Sequence, residues 1–361
     1  MSASFQERLR SFLSQTLFNT QSTRAYFEPL AESWMPSYSL LSPKARIVGI
    51  DIEREDILHL SLSPNFMWRG FVPGQYVELG VEIDGSIKKR IFSISSSTSQ
   101  FKKEGVIRLS IQKQENGQVT PFLFEGMKAG KHVQLGRASG QFVLPEDENQ
   151  PVLMIAGGTG ITPFISMLSS ASSGRHITLL YYANAAKPHL FKEELGSLSN
   201  KVQVQMINSD LEGRFNSEHL HRFCADFADR KVLICGPSLM EASVRNILLA
   251  EGLSETSISS ESFSAATIPT PTIGIVEEVR ISLSRSYQEF KAANNKSILE
   301  ILESKGLNPR FGCRMGICNE CSCKKISGTV MNRKDNTLSH AGEEFIRICS
   351  AIPAGDLVLE F

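Results

Sequence analysis

Four cysteines toward the C-terminal end, Cys313-x4-Cys318-x2-Cys321 and then Cys349, restrict what this chain can fold into more than any other feature. Three of them fall in one loop, Phe311-Gly312-Cys313-Arg314-Met315-Gly316-Ile317-Cys318-Asn319-Glu320-Cys321, which must wrap around whatever the thiolates hold. This is the plant-type ligand run for a [2Fe–2S] cluster, in which two irons take four thiolates. Gly312 and Gly316 let the backbone bend tightly and bring amide donors to the sulfurs. Zinc would want paired C-x2-C knuckles, and only one such pair is present. The spacing predicts a domain that carries single electrons.

At 361 residues the chain exceeds one typical core, so two or three domains are expected. Basic and acidic residues balance at 38 each, and no Lys/Arg block interleaved with aromatics occurs, which argues against a nucleic-acid binder. Apolar runs such as residues 152–156 are far too short to span a membrane, and no secretory signal is read at the start. Seven cysteines, four committed to a cluster, fit a reducing compartment rather than a disulfide scaffold. Of the others, Cys323 reads as a packed thiol in a strand.

The text changes character along the chain. Residues 1–43 form an extension in which Phe5, Leu9, Phe12, Leu13 and Leu17 recur at helical spacing, an amphipathic helix that would dock on its own protein, a partner or a membrane surface. Residues 44–148 hold short β-type runs (45–52, 57–62, 76–81, 105–111, 131–135) between Pro73-Gly74, Asp84-Gly85 and Asn116-Gly117 turns, as in a small barrel. Residues 149–263 alternate apolar strands with helical stretches, the pattern of a parallel α/β sheet. A small, uncharged, proline-containing linker (264–272) leads to the cluster domain, 273–361.

Three further motifs carry chemistry. In Met154-Ile155-Ala156-Gly157-Gly158-Thr159-Gly160-Ile161-Thr162-Pro163 a buried strand ends in a glycine turn, and a helix then opens with Thr162 as its cap and Pro163 in its first turn. Free amides and a positive helix end there suit a dinucleotide pyrophosphate, although a plain strand–helix turn would read alike. Arg90-Ile91-Phe92-Ser93 offers a phosphate partner, a flat ring and a hydroxyl, with Arg90 and Phe92 on one strand face. Cys235-Gly236-Pro237 follows a strand end, where α/β sheets place ligands.

Taken in order, these motifs resemble the ferredoxin–NADP reductase family, in its members with a plant-type ferredoxin fused at the C-terminus. The resemblance covers residues 45–361. It implies a flavin-binding Greek-key β-barrel, an α/β NAD(P)-binding domain with a parallel sheet, and a β-grasp [2Fe–2S] ferredoxin domain. In that family Arg90 would meet the flavin phosphates, Phe92 would stack on the isoalloxazine and Ser93 would sit at its reactive edge. A tyrosine is usual at Phe92, so one contact to the ribityl chain is lost. Gly117-Gln118-Val119-Thr120 matches the second flavin-phosphate segment, with Thr120 in place of serine. Gly157, Gly158, Thr159, Gly160, Thr162 and Pro163 match the nicotinamide-dinucleotide turn, and Cys235, Gly236 and Pro237 the stretch beside the nicotinamide. Glu261-Ser262-Phe263 matches the E-x-F that closes the nucleotide domain on the flavin.

The implied path runs from NAD(P)H to FAD (FMN being the alternative), then to the [2Fe–2S] cluster (Cys313, Cys318, Cys321, Cys349) and out to a separate oxygen-activating enzyme. Trp34-Met35-Pro36, the Pro73-Gly74-Gln75-Tyr76 turn and the domain order look most similar to reductases of membrane fatty-acid desaturases. The alternatives are a reductase for a ring-hydroxylating or alkane monooxygenase, and a redox-sensing protein whose flavin fold is idle. The cysteine usage points to the cytoplasm, with a peripheral position at the inner face of the membrane as the further option. Residues 182–187 carry no arginine for a 2′-phosphate and no acid to repel one, only Lys187, so the resemblance alone tips the donor toward NADPH over NADH.

Overall fold

A computed structural model describes residues 43–361, except 116, 173, 199–201, 263–277, 313, 315, 317–320 and 334–336. The amphipathic segment, Asn116, Phe263, the linker, Cys313 and Cys318 therefore lie outside the described residues. The chain divides into two compact units: one reaches to Asn149 and includes Thr162–Arg175 and Leu190–Val202, the other holds Gln150–Ile161, His176–His189 and Gln203–Phe361.

The first unit is built on six strands, β1 (Lys44–Arg54), β2 (Ile57–Pro64), β3 (Tyr76–Ile83), β4 (Ser86–Ser93), β5 (Ile107–Gln112) and β6 (His132–Leu135). They are ordered β4-β3-β6-β1-β2-β5, and an antiparallel bridge between Ile94 and Leu109 joins the two edges into a barrel. Closure leaves no exposed edge. Alternate residues of β3 (Val77, Leu79 and Val81) face the core, as a period of two demands. Asp84 and Gly85 make the β3–β4 turn with φ of 51° and 71°, the left-handed pair of a tight hairpin. The strand expected from residue 105 begins at Ile107 instead. Gly105, at φ 67°, is the left-handed end of helix α1 (Thr98–Glu104), which Ser97 caps at the other end. A second helix, α2 (Val119–Gly126), follows β5.

The central sheet of the second unit contains β7 (Val152–Gly157), β8 (Ile177–Ala183), β9 (Gln203–Asn208), β10 (Lys231–Gly236) and β11 (Ile258–Ser262), ordered β11-β10-β7-β8-β9 and parallel throughout. Every residue of β7 and β8 is buried, which is why both read as unbroken apolar runs. Strand order reverses at β7, and that places the ligand crevice at its C-terminal end. Helices α3 (Ile161–Ser170), α4 (Lys192–Leu198), α5 (Ser217–Phe223) and α6 (Ser238–Ala250) fall between the strands in sequence.

The C-terminal residues form β12 (Glu278–Leu283), β13 (Gln288–Ala293), α7 (Ile298–Ser304), β14 (Ser322–Ser327), β15 (Val330–Asn332), β16 (Glu344–Arg347), β17 (Ala351–Pro353) and β18 (Leu357–Leu359). The main sheet runs β13-β12-β18-β14-β16, with β12 and β18 parallel, a β-grasp. Helix α7 starts with a reciprocal capping box between Ser297 and Glu300 and packs Ile298 and Ile301 into the core beside Ile281. Lys325 on β14 is fully buried; its ammonium donates to the carbonyls of Gly328 (2.7 Å), His340 (2.5 Å) and Gly342 (2.7 Å). With the Glu344 carboxylate 3.1 Å away as its counter-charge, the buried ammonium is fully partnered, and these bonds tie Gly328, His340 and Gly342 to the strand that follows Cys321.

Candidate functional site

Strand β4 presents Arg90 opposite Leu79 and Phe92 opposite Val77, so both lie on one face of the barrel edge, half-buried. Ser93 ends the strand. It is 5% exposed, and its Oγ has no hydrogen-bond partner among the described residues. A buried hydroxyl left unpaired is costly, and this one has its hydrogen-bonding capacity open to a ligand. The chain beyond it is tied down on all sides. Ser95 Oγ meets Ser110 Oγ at 2.7 Å, the Ser95 carbonyl accepts from Arg108 at 2.9 Å, and the Ser96 carbonyl accepts from Ser166 Oγ of α3 at 2.8 Å. Ser170 Oγ accepts from the Thr98 amide at 3.1 Å. The helix that follows the glycine turn is thereby fixed to the stretch that holds Ser93.

On the same unit, the second expected segment runs into α2. Thr120 Oγ1 accepts from the Gln114 amide at 2.9 Å, and Val119 is buried. Gln118 stands at the cap position but makes no side-chain bond there. Open amides at a helix start suit a phosphate. The unpaired Ser93 hydroxyl, the Phe92 ring and this helix start together fit an FAD.

In the second unit the three glycines do different work. A Cβ on Gly160 would come 2.1 Å from the Cys235 carbonyl oxygen, and one on Gly157 would come 2.2 Å from Met240 Sδ. Gly158 has φ +54° and nothing within 4 Å of the place a Cβ would take. Gly160 thus lets the turn press against the end of β10, Gly157 makes room for the Met240 side chain of α6, and Gly158 leaves open space where a pyrophosphate can approach the backbone. Thr162 does not cap the helix as expected. Gly158–Gly160 form a 3-10 turn that runs directly into α3 at Ile161, so Thr162 and Pro163 both sit inside the first helical turn.

Cys235 is fully buried, and burial together with the facing Glu261 carboxylate pushes its thiol well above the usual range. Gly236 follows it, and Pro237 leads into α6. Glu261 lies beside Cys235 in the β10–β11 register. Burial pushes its carboxyl up to about 7, and its Oε2 lacks a partner among the described residues. This strand end offers a carboxyl to a ligand that brings a donor, as a nicotinamide carboxamide does. At the other end of the crevice, Asp210 after β9 reaches over to accept from the Ala185 amide at 2.8 Å. An acid does therefore stand at the 182–187 stretch, delivered by the neighbouring loop.

Cys321 and Cys349 are 2% and 5% exposed, and their unbonded sulfurs lie 3.0 Å apart. The Gly316 amide donates to Cys349 Sγ at 3.1 Å, and the Ile348 amide to the Cys321 carbonyl at 3.2 Å. Converging thiols with an amide aimed at one of them suit thiolates on iron. Arg347 donates to the Gly316 carbonyl at 2.9 Å. Arg314, at φ 57°, stacks on Phe311 at 4.0 Å and pairs with Glu303. Cys323 points into the domain core, its thiol pushed up to about 11 by burial.

Sequence reasoning passed over Ser96, Ser166, Asp210, Lys325 and Arg347. The serine run from Ser93 to Ser99 was a visible signal for the first; the others act through partners distant in sequence.

A flavin-type barrel, a parallel sheet with a dinucleotide turn and a β-grasp domain with converging cysteines define an electron-transfer oxidoreductase. Comparison with known proteins agrees. Residues 48–144 match the oxidoreductase FAD-binding domain, 154–246 the oxidoreductase NAD-binding domain and 281–354 the 2Fe-2S iron-sulfur cluster binding domain. A NADPH oxidoreductase of Mycobacterium tuberculosis is 27% identical over 90% of this chain and 86% of its own length. The glycine betaine monooxygenase reductase subunit of Pseudomonas aeruginosa is 23% identical over 81% of this chain and 87% of its own. The structure of phthalate dioxygenase reductase superposes with a TM-score of 0.62 at 22% identity, covering 88% of this chain and 97% of that one. The chain is an NAD(P)H-dependent oxidoreductase of the ferredoxin-reductase type, with the domain order of phthalate dioxygenase reductase. It carries electrons from NAD(P)H through FAD to a [2Fe–2S] cluster.

Proposed function

We propose that the chain is the reductase component of a separate oxygen-activating enzyme, with domains at 44–148, 149–263 and 273–361 joined by the 264–272 linker. The unpaired, buried Ser93 hydroxyl carries the reading, because it leaves a hydrogen-bonding group open where the family resemblance expects the reactive edge of the flavin. An FAD held there would supply the conversion between two-electron hydride chemistry and the single-electron chemistry of the cluster. The protein's part is placement. Arg90 and the start of α2 hold the flavin phosphates, Phe92 stacks on the ring and Ser93 donates to its reactive edge. The 157–163 turn seats the pyrophosphate, and Cys235, Gly236, Pro237 and Glu261 border the nicotinamide, with Phe263 closing over the flavin. Cys313, Cys318, Cys321 and Cys349 ligate the irons. The Asp210 carboxylate beside Ala185 weighs against a 2′-phosphate and so favours NADH, reversing the expectation from the resemblance.

The acceptor proposed is a second protein, in keeping with a relative that is itself a monooxygenase reductase subunit. No helix among the described residues is long and apolar enough to cross a membrane. The named monooxygenase reductase relative favours a hydroxylase acceptor over the desaturase. Coupled assays separate the two: the purified chain, NADH or NADPH, and either a hydroxylase or a membrane desaturase with its lipid substrate. Product formed with only one partner assigns the acceptor. Failure to reduce even artificial one-electron acceptors, with flavin and cluster bound, would turn the reading toward a redox sensor.

A further inference from the structure

Arg347 stands two residues before a cluster ligand, on edge strand β16, and has no part in the electron path described above. Its backbone is set by pairing with Ser322, the residue after Cys321. From there its guanidinium crosses to the cysteine loop and donates to the Gly316 carbonyl at 2.9 Å. Gly316 is buried at φ +67°, and its own amide donates to Cys349 Sγ at 3.1 Å. One loop residue is thus gripped from both sides by one strand end: its carbonyl by Arg347, its amide by Cys349.

We propose that Arg347 is a positioning residue for the cluster, a clamp that holds the Gly316 amide on the Cys349 sulfur. A loop glycine in the left-handed region has wide conformational freedom, so without an outside anchor its amide would wander from the sulfur. An N–H donated to a ligand sulfur withdraws electron density and makes the cluster easier to reduce. The guanidinium charge acts in the same direction, and its planar donors suit a fixed carbonyl better than a flexible ammonium does. Loss of the clamp therefore predicts two linked changes: a more negative cluster potential and a cluster that leaves its loop faster. Partners of this outer kind commonly shift metal affinity by about 10- to 100-fold when removed.

The test uses the full holoprotein with Arg347→Met and Arg347→Lys. Cluster potential is read by spectroelectrochemistry, and iron release by visible absorbance during an anaerobic chelator challenge. Flavin content and its reduction by NADH in the same samples report that the rest of the chain is folded. The clamp predicts that Arg347→Met shifts the potential to more negative values and speeds iron release by about 10-fold. Arg347→Lys, which keeps one donor and the charge, restores most of both. Unchanged potential and release in Arg347→Met would overturn the proposal. A shifted potential with unchanged release would overturn it too, because charge alone would then account for the effect. A cluster missing from Arg347→Met but retained in Arg347→Lys, with flavin present in both, is the expected loss in its extreme form.

Discussion

The cluster site and the nucleotide turn reach their function by opposite means. Around the cluster, side chains do the holding: two buried thiols lie 3.0 Å apart, with an amide trained on one of them. At the nucleotide turn it is the lack of side chains that matters, since Gly160 lets the turn meet the end of β10 at a distance no Cβ would permit and Gly157 leaves room for the Met240 side chain of α6. A site of the first kind fails when its atoms are removed. A site of the second kind fails when atoms are added.

The largest expected effect breaks the first kind. Cys349→Ala removes a proposed ligand, and the purified protein should lose the cluster's visible absorbance and its iron while keeping flavin that NAD(P)H still reduces. Cys235→Ala is the control on the other side of the comparison, since that thiol is fully buried at the end of β10 beside Glu261, in a strand of the parallel sheet. It should keep its iron and cost on the order of 1 kcal/mol in packing. Iron lost from both variants would mean that the two cysteines do not play separate parts.

Next in size is addition at the turn. Gly160→Ala forces a methyl against the Cys235 carbonyl at 2.1 Å, so β10 or the turn must move. A displacement of that order costs roughly 100-fold in a reaction that depends on alignment, read as stopped-flow flavin reduction by NADH. Dithionite should still reduce both centres normally. Gly158→Ala meets no atom and pays only for a left-handed backbone, about 1 kcal/mol. It should retain more activity than Gly160→Ala. The reverse order would show that close approach is not what the turn requires.

The same contrast governs what could be read before any fold was known. Ligand identity and spacing announce a side-chain site, so Cys313, Cys318, Cys321 and Cys349 stood out at once. The glycine turn was also visible, but not which glycine served contact and which served open space, because that depends on Cys235 and Met240 arriving from β10 and α6. Strands β7 and β8 were legible from their unbroken apolar runs, whereas α1 was missed. Helix α1 buries no residue fully, so it prints no apolar stripe, and Gly105 read as the start of a strand rather than the end of a helix. Asp210 and Arg347 were invisible for a related reason. Each acts on a backbone group from another segment, and sequence spacing records no such partner.

The orphaned hydroxyl sharpens the comparison from the flavin side. Ser93→Ala deletes an Oγ with no protein partner among the described residues, so stability should hardly change. If Ser93 serves the flavin edge, reduction by NADH should slow by about 100-fold, the usual cost of one donor at a reacting centre, with flavin still bound. Equal rates in wild type and variant would remove Ser93 from the reaction.

Glu261 offers a test by pH, and its sign follows from its burial. The carboxyl is raised from 4.5 to about 7 in the folded chain. Below pH 4.5 it is protonated folded or unfolded and contributes nothing. As the pH rises the unfolded chain gives up the proton first, so folding carries a growing penalty that is complete above about pH 7. At about 1.4 kcal/mol for each unit, that penalty is at most roughly 3 kcal/mol. Glu261→Gln removes it, so the nucleotide-free variant should protect the amides of β10 and β11 from exchange better than wild type at pH 8 and equally at pH 4. The variant should also lose part of its nicotinamide contact, making it sturdier and slower together. A gain of the same size at both pH values would show that packing, not the buried charge, sets the cost of carrying this carboxyl at the end of the sheet.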